Sequence, residues 1–279
     1  MRGEHSKIMD HNYRLLAFDL DGTLTNSDKI ITPRTFDALM RAQEQGVRIA
    51  LASGRPTYGI LPLAEQLRLA DYDGYILAFN GGKIVKCRTK EILFQQTIPS
   101  ELLHKVYETA EQYHLTAMTY ENDTIVTEHP NNPYVQIESK ICHLPIRQVV
   151  HMDEAVDFPV VKFLLVGDED YLGRIEPEVQ AALGDGFDVY RSAGFFFEVV
   201  TKGIDKGACL QHVLDAEGWT REQLMTFGDS YNDATMLQFA GVGVAMGNGV
   251  PEIRALADYV TGSNDEDGIA DALEHFGIV

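Results

Sequence analysis

The stretch "LLAFDLDGTL", residues 15–24, runs four apolar residues straight into two aspartates one residue apart, then a glycine and a threonine. A short apolar run ended by a turn signal reads as a buried strand. Two carboxylates aimed out of one strand end raise each other's cost of ionisation, so the pair calls for a cation or a shared proton. Around this strand, "TPRTFDALMRAQEQG" (32–46) reads as a helix with Thr32 as N-cap, Pro33 in the first turn and Gly46 as the stop. "VRIALAS" (47–53) is the next strand, a helix follows from about Pro56 to Leu69, and "YILAF" (75–79) is a third strand. Such near-continuous apolar strands belong to a parallel sheet covered on both faces.

The end of the chain repeats the style. Helices at "KGACLQHVLDAEG" (206–218), "DATMLQFA" (233–240), "PEIRALA" (251–257) and "GIADALEHF" (268–276) alternate with strands at "LMTF" (224–227), "VGVAM" (242–246) and "DYVTG" (258–262). The middle differs. Helices "SELLHKVYETAEQY" (100–113) and "EPEVQAAL" (176–183) lie among strands "LTAMTY" (115–120), "TIVTE" (124–128), "VVKFLLVG" (160–167) and "FDVYRS" (187–192). The expected fold is α/β: a doubly wound, mostly parallel, Rossmann-like core from residues 1–83 and 195–279, with an inserted α+β cap at 84–194.

The chain has 279 residues, 45% hydrophobic and 23% charged, enough for a substantial core. Its 42 acidic residues against 23 Lys plus Arg give a net charge of −19, a field that repels nucleic acid and anionic membrane. A phosphate-bearing ligand must then be held by local cations. Cys87, Cys142 and Cys209 are scattered and lack CxxC spacing, which argues against a disulfide framework or zinc site and for a reducing cytoplasm. "MRGEHSKIMDHNYR" (1–14) has no apolar h-region and reads as a frayed leader, and no apolar run approaches the ~18 residues of a membrane span.

Four motifs stand at strand ends or helix starts: Asp19-Leu20-Asp21-Gly22-Thr23; Ser53-Gly54-Arg55; Lys206-Gly207; and "FGDSYND", with Asp229, Ser230, Asn232 and Asp233. In open parallel sheets the carboxyl ends of the strands form the ligand crevice, so the motifs can converge. Asp19, Asp21 and Asp229 offer hard oxygens suited to Mg²⁺. Ser53, Lys206, Asn232 and backbone N–H groups offer donors to a phosphate. A carboxylate beside a bound phosphate can act as nucleophile, and a protonated one can supply the leaving group's proton. Taken singly, each motif has a plainer reading as a turn, cap or solvated lysine. An EF-hand loop starting at Asp19 is excluded, because Ile30 stands where Glu is needed. "GVGVAMG" (241–247) lacks dinucleotide-fingerprint spacing and reads as strand and turn. His104, His114, His129, His143 and His151 show no metal spacing and read as surface or packing residues.

In their order, the four motifs resemble those of the haloacid dehalogenase superfamily of phosphatases. The insertion between the second and third resembles the Cof-type subclass, also called subclass IIB. "FNGGKI" (79–84), "FFFEVVTKGIDKGACL" (195–210) and "VGVAMGNG" (242–249) are similar to stretches of that subclass, with Gly82 and Gly249 where alanine is common. The resemblance implies a hydrolase acting on small phosphate esters through an aspartyl-phosphate, with Mg²⁺ as cofactor. It implies Asp19 as nucleophile and metal ligand. Asp21 would be acid and base, with its carbonyl or carboxylate near the metal. Leu20, Ser53, Gly54, Lys206 and Asn232 would hold phosphate, and Asp229 would ligate metal. Thr23, Arg55, Ser230 and Asp233 would be supporting residues. A phosphomutase of the same superfamily is the near alternative. A phosphoacceptor signalling receiver is a rival from another class, set back by its shorter length and missing cap. A binding-only protein is disfavoured because every catalytic position is filled.

Two positions bear on specificity. Asn80, in "NGG", fits a hairpin turn or a site residue equally. Lys162 interrupts an apolar strand in which alternation puts Val160, Lys162 and Leu164 on one face. A buried lysine must reach solvent, pair with a carboxylate or meet the substrate.

Overall fold

The computed structural model describes residues 13–279. The elements are β1 (Leu15–Phe18), α1 (Pro33–Glu44), β2 (Arg48–Ala52), α2 (Thr57–Gln66), β3 (Tyr75–Ala78), β4 (Lys83–Lys86), β5 (Ile92–Gln95), α3 (Ser100–Gln112), β6 (Thr116–Glu121), β7 (Thr124–Thr127), α4 (Pro133–Cys142), β8 (Ile146–Gln148), α5 (Met152–Ala155), β9 (Lys162–Val166), α6 (Glu169–Leu183), β10 (Phe187–Ala193), β11 (Phe196–Thr201), α7 (Lys206–Glu217), β12 (Leu224–Gly228), α8 (Ala234–Phe239), β13 (Val242–Ala245), α9 (Pro251–Leu256), β14 (Tyr259–Val260) and α10 (Gly268–His275).

Eight strands form the core sheet in the order β14-β13-β12-β1-β2-β3-β4-β5. From β14 to β3 every pairing is parallel, and β4 and β5 add an antiparallel edge. Alternation explains the continuous apolar runs. Leu16, Phe18, Ile49, Leu51, Met225 and Phe227 face one way, packed with Leu39 of α1, Ile60 of α2 and Leu273 of α10. Leu15, Ala17, Ala50, Ala52 and Leu224 face the other, against Leu210 and Val213 of α7 and Met236 of α8. Both faces are dry, so the buried positions of the central strands are apolar on both parities save Thr226 of β12, whose buried hydroxyl is satisfied by donating to Met236 O at 3.1 Å.

Six strands, β10-β11-β9-β6-β7-β8, form the second sheet, antiparallel except for β7 and β8. Phe163, Leu165, Phe197 and Val199 turn towards α3 and α6, where Val106, Tyr107, Leu172 and Val179 cover them. Leu164, Val166, Met118 and Phe196 turn the other way and join the apolar cluster continuous with the core. Sheet plus helices make a cap, as expected of an α+β insertion.

Strand pairing draws its limits differently from the expected 84–194. The "NGGK" turn sends β4 back along β3, and β5 pairs beside it, so residues 83–95 stay in the core sheet. At the far end "FFEVVT" forms β11, which pairs with both β9 and β10 in the cap. The cap sheet and its helices thus run from about residue 99 to 201. A hairpin and a departing linker begin with the same turn residues, and only pairing separates them.

Smaller differences have local causes. Thr32 sits at the N-cap of α1, yet its hydroxyl donates to Asp267 Oδ1, tying α1 to the loop before α10. Helix α6 begins at Glu169, not Glu176, because the Asp168 carboxylate caps it by accepting from Tyr171 N at 3.0 Å and the helix carries Pro177 internally. The leader reading lies outside the described residues up to residue 12. Tyr13 is buried and Arg14 N donates to Gln223 O at 2.8 Å, so these two residues belong to the folded core. Among the described residues no helix is long and apolar enough to cross a membrane, and the three cysteines are free and buried. All five weighed histidines are exposed.

The sheet constrains its own glycines. A Cβ on Gly243 of β13 would stand 2.2 Å from Leu237 O of α8. Gly243→Ala should therefore lose about 1–3 kcal/mol in urea unfolding, as overpacking does. A stability equal to wild type would show that α8 can move away freely.

Candidate active site

Three neighbouring parallel strands end together and deliver three of the four motifs. In register, Phe18 of β1 pairs with Phe227 of β12 and Leu51 of β2. The residues just beyond are Asp19, Gly228-Asp229 and Ser53-Gly54-Arg55. Asp19 N still donates to Phe227 O at 3.0 Å, which extends the sheet by one residue and fixes the aspartate's backbone. The loop then turns sharply at Gly22, with φ +88°, and a Cβ there would lie 2.6 Å from Asp229 Oδ2. Glycine is required on both counts. Thr23 Oγ1 donates to Asp229 Oδ1 at 2.7 Å, and Asn248 Nδ2 donates to Gly22 O at 2.8 Å. The loop of the first motif is thus held to the fourth motif and to the "GNG" turn.

The third motif reaches the site from α7. Lys206 is fully buried and donates to Asp19 Oδ1 at 2.6 Å and to Asp233 Oδ1 at 2.7 Å. The other oxygen of Asp233 accepts from Asp229 N and Ser230 N, both at 2.9 Å. A Cβ on Gly207 would come within 2.6 Å of Thr235 O, so this glycine lets α7 close on α8 and bring the ammonium in.

Oxygens of Asp19, Asp229 and Asp233 all lie within 4.8 Å of one another. Burial raises Asp19 to about 7, with the charges of Asp233 and Asp229 adding to it and Lys206 opposing. Burial likewise raises Asp229 to about 6 against the Thr23 hydrogen bond, helped by Asp233. Burial works against the Lys206 ammonium, but the two carboxylates outweigh it and hold the lysine charged. Three carboxylates with one lysine leave an excess of negative charge beside hard oxygens. That donor set fits a divalent cation such as Mg²⁺.

Asp21 stands apart from this cluster. Burial raises its pKa, but the Arg55 guanidinium and the Lys29 ammonium outweigh it and hold the carboxyl below its ordinary range. Arg55 binds both carboxylate oxygens, with Nη2 2.7 Å from Oδ1 and Nε 3.0 Å from Oδ2, and Lys29 Nζ lies 2.9 Å from Oδ1. Asp21 was expected near the metal through its backbone carbonyl or its carboxylate. Arg55 and Lys29 hold that carboxylate, and the side-chain cluster consists of Asp19, Asp229 and Asp233. Lys29 carried no sequence signal: it lies in an irregular loop, ten residues beyond Asp19.

One cavity of about 320 Å³ is lined by Asp19, Asp21, Ser53, Gly54, Arg55, Ser230 and Asn232 on the core side and by Glu138, Lys162 and Glu198 on the cap side. Leu20 is buried in the core, as its position between two outward aspartates requires. Ser53 is buried and its Oγ accepts from Arg55 N at 3.2 Å. Asn232 Nδ2 donates to Asn80 Oδ1 at 3.1 Å, and Asn80 Nδ2 donates to Tyr190 OH at 3.0 Å. Asn80 therefore serves both as a turn residue, at φ +55°, and as a link from the site to the cap.

Lys162 opens β9 and is almost wholly buried. Its ammonium donates to Gly54 O at 2.9 Å and lies 3.3 Å from Glu198 Oε1. The expected face continues to Leu164, but Val160 lies on the opposite side, with Phe163, because the strand starts only at residue 162. Glu198 was detectable by the signal that singled out Lys162, a charge inside an apolar strand. Glu138 and Tyr190 gave none.

The family scan matches residues 16–273 to the haloacid dehalogenase-like hydrolases. The chain belongs to this family. A haloacid dehalogenase-like hydrolase from Bacteroides thetaiotaomicron is 45% identical and superposes with a TM-score of 0.90, over 94% of this chain and 99% of that one. A subclass IIB sugar phosphatase of the same superfamily is 29% identical at a TM-score of 0.80, over 95% and 100%. Pyridoxal phosphate phosphatase YbhA of Escherichia coli K12 is 31% identical over 266 residues, 92% of this chain and 96% of that protein. The protein is thus a hydrolase of the core-plus-cap kind, with the Cof-type architecture that its insertion suggested.

Lys206, itself out of reach of water, joins the carboxylates of Asp19 and Asp233. Lys206→Met should lower unfolding free energy by about 3–5 kcal/mol, the usual result of orphaning buried charge. Lys206→Met combined with Asp233→Asn should recover part of that loss. Denaturation curves in which the double variant is no more stable than the single would contradict the ion-pair account.

Proposed function

We propose that the protein is a Mg²⁺-dependent phosphatase of small phosphorylated metabolites that works through an aspartyl-phosphate on Asp19. The observation that carries this reading is the buried Lys206 ammonium, which fixes one oxygen of Asp19 at the floor of a cavity shared by core and cap. A carboxylate so held presents its other oxygen in a constant direction, as in-line attack on phosphorus requires.

Asp19, Asp229 and Asp233 supply the oxygens that would hold the metal, directly or through the bonds that orient them, and the metal would neutralise phosphate charge. The chain's own groups do the rest. The amides at Leu20 and Gly54, the Ser53 hydroxyl, the Asn232 amide and Lys206 bind the phosphoryl oxygens. Asp19 forms a bond to phosphorus while the ester bond to the leaving oxygen breaks, and Asp21 gives that oxygen a proton. Asp21 then takes a proton from water, whose oxygen attacks phosphorus and releases inorganic phosphate and free Asp19. Asp21 can serve only after its ion pair with Arg55 loosens, and an arriving phosphate dianion competes for that guanidinium.

The cap contributes Glu138, Lys162 and Glu198 to the cavity, a polar wall for a polar leaving group. The relatives named for pyridoxal phosphate and sugar phosphates are both consistent with this. Lys162, tied to Gly54 O, acts on this reading as a positioning residue for the phosphate loop.

The reading is tested with a panel of phosphate esters assayed with Mg²⁺. Asp19→Asn should reduce kcat by at least about 10³-fold in a protein that still folds, since an amide cannot form the acyl phosphate. Asp229→Ala should raise the Mg²⁺ concentration needed for half activity, and chelator should abolish turnover. Retained turnover in purified Asp19→Asn, or full activity after verified metal removal, overturns the proposal.

A separate measurement addresses Lys162. If it positions Gly54, Lys162→Met should lower kcat/KM by a similar factor for a metabolite ester and for a small aryl phosphate. A loss confined to the metabolite ester would place Lys162 on the leaving group instead.

A further inference from the structure

A second cavity, of about 250 Å³, lies between core and cap and shares Lys162 with the catalytic cavity but none of the clustered aspartates. Four aromatic side chains line it: Tyr58 of α2, Phe79 after β3, Tyr120 of β6 and Phe158 before β9. Lys83, the first residue of β4, points the only uncommitted charge into this setting. Its side chain has no hydrogen bond or ion pair among the described residues, and burial pushes its pKa down. The other charges lining the cavity are already matched. Lys162 lies beside Glu198, and Glu121 is paired with Arg147. Thr57 also lines it, with a buried hydroxyl that has no partner.

An unmatched, half-buried ammonium is costly, and more conspicuous in a chain of net charge −19, where counter-charges abound. One ammonium and one hydroxyl suit a monoanion better than a phosphate dianion, which calls for more donors. The size is also selective. A cavity of roughly 150 Å³ holds a benzene molecule, so this one admits a single ring bearing a carboxylate.

We infer that this cavity is a binding site for a small aromatic carboxylate, its ring among Tyr58, Phe79, Tyr120 and Phe158 and its carboxylate on Lys83. The site is distinct from the one that would hold a phosphate ester and does not depend on the phosphatase reading.

Benzoate is the probe, titrated by calorimetry into the full chain with inorganic phosphate and Mg²⁺ present in excess to occupy the catalytic cavity. The expected result is one benzoate per chain, with the neutral analogue benzamide at least about tenfold weaker, as loss of a charge-assisted bond implies. Lys83→Met should weaken benzoate by at least about tenfold while Lys83→Arg stays within about threefold of wild type. A cooperative urea-unfolding curve like that of wild type would show that Lys83→Met is folded; if it does not fold, the benzoate–benzamide comparison on wild type decides alone. Absence of benzoate binding at millimolar concentration, equal binding of benzamide, equal affinity in a folded Lys83→Met variant, or displacement of benzoate by inorganic phosphate would each overturn the inference.

Discussion

The buried triad of Lys206, Asp19 and Asp233 is the constraint on which the rest of the site depends. A lysine with no solvent exposure is tolerable only when its charge is matched, and here two carboxylates match it at 2.6 and 2.7 Å. The triad fixes three separate parts of the chain: the end of β1, the start of α7 and the turn before α8. Asp233 passes the constraint on, since its second oxygen orders the amides of Asp229 and Ser230. The site is therefore built before any ligand arrives, with the Asp19 carboxylate held by charge and not by packing alone. The same arrangement leaves the aspartates mutually repelling and in want of a cation, so the chemistry and the electrostatic debt have one origin.

A second set of polar contacts joins the core to the cap. From Asn232 it runs to Asn80, then to Tyr190, whose hydroxyl donates to Glu198 Oε2 at 3.1 Å. Glu198 lies beside Lys162, and Lys162 returns to the core at Gly54 O. The path starts in the fourth motif and ends in the second, passing through three cap strands, β10, β11 and β9. Because Glu198 and Lys162 are both nearly buried, neither charge is cheap to expose without the other. Cap placement and the geometry of the Ser53-Gly54-Arg55 loop are thereby linked: a cap that swings away must take Lys162 from the Gly54 carbonyl.

Much of this was legible in the sequence because parallel-sheet physics is written into residue order. Strands dry on both faces are near-continuously apolar, so β1, β2, β3, β12 and β13 declare themselves. Their carboxyl ends then mark Asp19, Ser53 and Asp229 as crevice residues without any knowledge of distance. Gly22 and Gly207 stand within the motifs because close backbone approach permits nothing larger. What followed from periodicity and strand polarity was determined by the sequence alone: the two-part α/β architecture, the four motifs and their convergence.

Pairing and side-chain direction were decided only by the tertiary structure. A strand's local pattern does not name its neighbour, so β4 and β5 read as cap and joined the core sheet, while β11 read as core and joined the cap. Asp21 and Asp233 are equally acidic in one dimension. Arg55 and Lys29 reach Asp21 and hold its carboxylate, while Lys206 and two backbone amides draw Asp233 beside Asp19 and Asp229. The partner of Lys162 was likewise undecided until β9 paired with β11, whose Glu198 supplies the opposing charge. Each of these outcomes depends on which distant charge arrives within about 3 Å, and local composition carries no information about that distance.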